Sequence, residues 1–77
     1  MTLDNMKIGK QAIIKSVGGL GILRRRLLDM GLTPQTRISI RKVAPMGDPI
    51  ELTLRGYELT IRLDDAKNIE VIEESYI

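Results

Sequence analysis

The residues able to do chemistry in this chain are few, and what is missing limits them further. There is no cysteine, so no thiolate is available as nucleophile or metal ligand, and no disulfide supports the fold. There is no histidine, which removes the commonest general base and the commonest transition-metal ligand. Ser16, Ser39 and Ser75 have no activating neighbour in the sequence. Asp48, Asp64 and Asp65 supply carboxylates, but a hard cation needs several oxygen ligands at defined spacing, and no such loop is present. Gly18, Gly19 and Gly21 could open a phosphate loop. A P-loop, however, needs Lys and Ser or Thr after its last glycine, and here Ile22-Leu23 follows. The chain is therefore expected to be no enzyme and to hold no cofactor or resident metal.

The remaining candidates suit recognition. Arg24, Arg25 and Arg26 form a cationic run. Such a run is a solvated face, a docking site for carboxylates, or a nucleic-acid contact. The only aromatics are Tyr57 and Tyr76, too few for a base-stacking platform, which counts against single-stranded nucleic acid. Met46 stands in a loop with Gly47 and Asp48, between two prolines. Its adaptable side chain is either tucked onto the domain or offered to a partner.

Length and composition bound what positions these residues. Seventy-seven residues with 43% hydrophobic and 29% charged side chains make one globular domain spanning 1–77. Without Phe or Trp the core must be Ile, Leu, Val and Met. A formal charge of +2 is too weak alone to argue for nucleic acid. No apolar run reaches membrane-spanning length, and residues 1–10 lack the apolar stretch of a signal peptide, so a cytoplasmic location is expected.

Residues 1–10 are read as an adapter segment, with Leu3, Met6 and Ile8 packing down. Gln11 to Val17 reads as a strand. Ile22 to Met30 reads as the only substantial helix, with Leu20, Leu23, Leu27 and Met30 on its apolar side and Gly31 at its end. Thr36 to Val43 alternates as a half-buried strand, and Ala44 to Pro49 is a loop. Ile50 to Leu54 and Tyr57 to Leu63 form a hairpin about Arg55-Gly56, pairing Leu54 with Tyr57, Leu52 with Leu59 and Ile50 with Ile61. Asp64 to Lys67 is a helical turn with Asp64 as N-cap, Ile69 to Ile72 the last strand, and 73–77 a tail. Five short strands with one helix favour a small, mainly β barrel, since closure removes exposed edges.

Four segments then resemble one family, in order. Leu27-Leu28-Asp29-Met30-Gly31-Leu32-Thr33-Pro34 is similar to the helix end and turn of FeoA domains. Ala44-Pro45-Met46-Gly47-Asp48-Pro49 resembles their A-P-x-G-D-P loop, and Gly56 to Arg62 their G-x-x-[IL]-x-[LI]-R strand. Asp65 to Val71 resembles their closing segment. The resemblance implies an SH3-like β-barrel of about five strands with a helix after the first and a short helical turn before the last. It also implies an accessory role in bacterial ferrous-iron uptake, by binding the cytoplasmic part of a FeoB-like permease with a GTPase domain. Arg24, Arg25, Arg26, Met46, Gly47 and Asp48 are then the expected contact residues. The alternatives are action in trans on a metal-dependent transcriptional repressor, or a small nucleic-acid-binding barrel. One departure from the family pattern is Gln35, where glycine is usual. A side chain at the third position of a type II turn is strained, so a type I turn is expected there.

Overall fold

A computed structural model describes residues 1–74. It contains β1 (Gln11–Val17), α1 (Gly21–Asp29), β2 (Arg37–Val43), β3 (Ile50–Leu54), β4 (Tyr57–Ile61), α2 (Leu63–Ala66) and β5 (Ile69–Glu74), after a 3-10 turn at Leu3–Asn5. The expected order is therefore present: mainly β, with a helix after the first strand and a helical turn before the last.

The strands form one antiparallel sheet in the order β4-β3-β2-β1-β5. Closure was the expected answer to the edge problem, yet the barrel stays open, because β4 and β5 are edges that do not pair with each other. Register shifts between Ile14 and Ser16 and between Ile40 and Lys42 mark bulges, which bend strands and increase their twist. Every strand contributes to one aliphatic core: Ala12, Ile14 and Val17 from β1, Ile38 and Ile40 from β2, and Ile50, Leu52 and Leu54 from β3. Ile61, Ile69 and Val71 complete it from β4 and β5, and Leu27 enters from α1.

The β3–β4 hairpin has the expected register, with Leu54 opposite Tyr57, Leu52 opposite Leu59 and Ile50 opposite Ile61. Both turn residues have positive φ, 48° at Arg55 and 83° at Gly56, the signature of a type I′ turn whose twist matches the strands. Arg55 tolerates this conformation while its guanidinium donates to the Thr33 and Thr36 hydroxyls at 3.0 and 3.1 Å.

Several expectations are corrected. Leu3 and Met6 are buried, but Ile8 is exposed: residues 7–10 bridge to the sheet through the main chain, with Gly9 N–H on the Ile40 carbonyl and Ile40 N–H on the Lys10 carbonyl. β4 ends at Ile61, and Leu63 opens α2 instead of continuing the strand. Arg62, not Asp64, occupies the N-cap position of α2. β5 runs on to Glu74, since Glu73 and Glu74 pair with Ala12 and Gln11, so the expected tail begins later. Residues 75–77 of that tail lie outside the described residues. Gln35 does adopt the left-handed conformation, at φ 75°. The backbone fixes it: Thr36 N–H reaches the Thr33 carbonyl, Gln35 N–H donates to the Ile14 carbonyl at 2.7 Å, and Ile14 N–H donates to the Thr36 carbonyl at 2.9 Å. Three main-chain bonds outweigh the side-chain penalty of about 1–2 kcal/mol at one residue.

Candidate protein-binding surface

The Gly18–Gly21 turn launches α1 from the end of β1. Gly19 and Gly21 have φ of 90° and 49°, conformations that favour glycine, and Gly18 N–H donates to the Asn68 carbonyl at the start of β5. The glycines thus serve the strand-to-helix connection.

The three arginines have three different fates. Arg24 Nε donates to the Val17 carbonyl at 3.0 Å, which ties the helix back to the strand before it. Arg26 Nη2 reaches Asp65 Oδ1 at 3.1 Å, joining α1 to α2. Arg25 is exposed and has no ion-pair or hydrogen-bond partner among the described residues. Of these three, only Arg25 keeps its whole fork of donors for an external carboxylate.

The loop between β2 and β3 is built as tightly. Gly47 N–H donates to the Ala44 carbonyl at 2.7 Å, and Ala44 N–H to the Pro49 carbonyl at 3.0 Å. Gly47 takes φ 87° and has open space where a Cβ would stand. The Asp48-Pro49 peptide is cis. Asp48 Oδ1 accepts the backbone N–H of Leu63 at 3.0 Å, so Asp48 caps α2 from another part of the fold, satisfying one of the donors a helix start leaves open. Met46, at the tip, is 92% exposed, so it is not tucked onto the domain.

α2 is the meeting point. Its first residue is held by Asp48, and its Asp65 is held by Arg26. The two candidate segments therefore flank one short helix. A shallow open groove of about 220 Å³ runs beside the loop, lined by Val43, Ala44, Pro45 and Pro49 together with Lys42, Glu51 and Thr60. It is smaller than the roughly 300–1,000 Å³ of small-molecule sites. Among the described residues no cluster of three acidic side chains could hold a metal ion.

Two contributors escaped the sequence reading. Leu20 and Ile22 are 90% and 87% exposed, next to Arg25 in the chain. Leu20 was expected on the core side of the helix. It lies at the N-cap in extended conformation (φ −115°, ψ 138°), so the helical period does not extend to it. Only Leu27 is fully buried, with Leu23, Leu28 and Met30 packed against the core. The helix starts at Gly21, one residue before the expected Ile22, and leaves Leu20 outside it. The helix entry thus combines exposed aliphatic side chains with an unpaired guanidinium, a composition suited to protein contact.

The family model for the FeoA domain matches residues 1–73. A curated relative, the Fe(2+) transport protein A/Fe(2+) transporter FeoB fusion protein of Porphyromonas gingivalis, is 37% identical over 71 residues; these are 92% of this chain and 8% of that protein. The chain thus spans a small fraction of the curated relative it matches. The solution structure of FeoA from Chlorobium tepidum is 39% identical, with a TM-score of 0.84 over 92% of this chain and 68% of that one. The Stenotrophomonas maltophilia FeoA crystal structure, described as a procaryotic SH3 domain protein complexed with zinc, is 23% identical with a TM-score of 0.83. It covers 96% of this chain and 95% of that one, and at that identity it speaks for the SH3-like fold alone. With the match running from the first residues into β5, on a fold of the same architecture, the chain belongs to the FeoA family associated with ferrous-iron transport.

Proposed function

We propose that this chain is a non-enzymatic accessory of ferrous-iron uptake that docks on the cytoplasmic part of a FeoB-like permease and modulates transport. The observation that carries this reading is the relative in which a FeoA segment and the transporter FeoB are one polypeptide. Covalent linkage raises the effective concentration of two modules, a device that serves partners needing to meet.

The docking surface would be the helix entry and the loop tip. Leu20, Ile22 and Met46 would supply apolar contact, and Arg25 would supply a fork for a carboxylate. Arg24, Arg26, Gly47 and Asp48 would act one step back, by fixing α1, α2 and the loop in relation to one another. The first experiment is capture of the permease's cytoplasmic portion by wild type, Arg25→Glu and Met46→Asp. Capture by wild type with loss in both variants supports the reading. Equal capture by all three discards this surface.

A further inference from the structure

β4 is an edge strand, with nothing paired on its far side among the described residues. The other edge, β5, is partly occupied by the chain's own first residues: Val71 N–H donates to the Met1 carbonyl at 2.8 Å, and Thr2 bridges Glu70. β4 is therefore the more open of the two. Its two-residue turn makes Leu54 and Tyr57 a hydrogen-bonded pair, and alternation then turns the N–H and C=O of Glu58 and Thr60 away from β3. The backbone stays extended through Arg62 (φ −84°, ψ 155°). Edges are commonly blunted by a bulge, a proline or a lysine, but the β3–β4 register runs without a shift and residues 57–62 contain neither Pro nor Lys. Glu58, Thr60 and Arg62 are exposed and share one side of the strand.

We propose that two copies of this chain pair antiparallel through β4, about a two-fold axis at Thr60. In that register Thr60 meets Thr60 of the second copy. Glu58 of each copy stands opposite Arg62 of the other, so opposite charges meet twice. A two-fold centred on Glu58 or on Arg62 instead sets a like-charge pair on the axis, which cross-strand pairing penalises. The charge pattern thus selects one isologous register. Leu59 falls opposite Ile61 of the second copy on the inner side. The ion pair of Glu58 with Arg41, at 3.6 Å between exposed side chains, is weak enough to give way. A single strand edge buries less than the ~1,200 Å² of standard stable complexes, so the dimer is weak and concentration-dependent. This pairing is independent of whether a permease docks at the helix entry.

Sedimentation equilibrium of the full chain, from micromolar to millimolar, tests it. Wild type is expected to dimerise within that range. Glu58→Arg alone and Arg62→Glu alone each create two like-charge pairs and should weaken association roughly tenfold or more. An equimolar mixture of these two variants restores both opposite-charge pairs and should associate as wild type does. Circular dichroism of each variant establishes that it is folded. A wild type that stays monomeric at millimolar concentration, single reversals that dimerise as well as wild type, or a mixture that fails to recover association would each overturn the proposal.

Discussion

The carboxylate of Asp48, in the loop after β2, accepts the backbone N–H of Leu63 at the first residue of α2, at 3.0 Å. A residue that resembles a surface turn in sequence is thus a helix cap acting across 15 positions of chain. Asp48→Ala should cost about 1 kcal/mol, the usual value of a lost cap. In a domain of this size that lowers Tm by roughly 4–8 °C. Asp48→Asn, which keeps an acceptor oxygen, should lose less than half as much in the same thermal scan.

Tyr57 makes the corresponding contact at the C-terminal end of α1. Its hydroxyl donates to the Met30 carbonyl at 2.7 Å, serving one of the carbonyls a helix end leaves open. Tyr57→Phe should cost about 1 kcal/mol in urea unfolding. Gly31→Ala should cost more, because φ is 98° there and a Cβ would collide with the Tyr57 hydroxyl. Since that collision involves the hydroxyl itself, the double variant should be less destabilised than the two single costs combined, and a double-mutant cycle measures the difference.

Leu27 is fully buried, whereas Leu20 and Ile22 on the same segment are almost fully exposed. Leu27→Ala should therefore cost about 2–5 kcal/mol, enough to unfold much of a small domain at 37 °C. Leu20→Ser and Ile22→Ser should each change stability by less than about 0.5 kcal/mol. If those two variants stay folded by circular dichroism yet lose permease capture, the exposed pair belongs to the docking surface.

Gln35 sits at φ 75° because its neighbours fix the backbone. Gln35→Gly removes the side-chain penalty and adds some unfolded-state entropy, for a net gain of about 0.5–1 kcal/mol. A higher urea midpoint with an unchanged slope is the expected result.

The hairpin was the most legible part of the fold. Ile50, Leu52 and Leu54 against Leu59 and Ile61 alternate so regularly that a slip of one residue would expose the core set, and the observed pairing follows. The helix was legible in place but not in its entry, where the periodic pattern was carried onto Leu20, a residue whose backbone is not helical. Open edges were not legible, because alternation within a strand carries no information about which strands meet across a gap. In the candidate site, the cationic run and the loop were visible as composition. That Arg24 and Arg26 are tied to Val17 and Asp65, leaving Arg25 alone without a partner among the described residues, depends on contacts between segments distant in sequence. The same holds for Asp48.

The most direct measurement is amide chemical-shift mapping of this chain titrated with the permease's cytoplasmic portion. Saturable shifts centred on residues 20–26 and 44–49, spreading into 63–66, are predicted, and Arg25→Glu should weaken them. No shifts at all, or shifts confined to the groove formed by Gln11, Arg37, Ser39 and Thr53, would contradict the account.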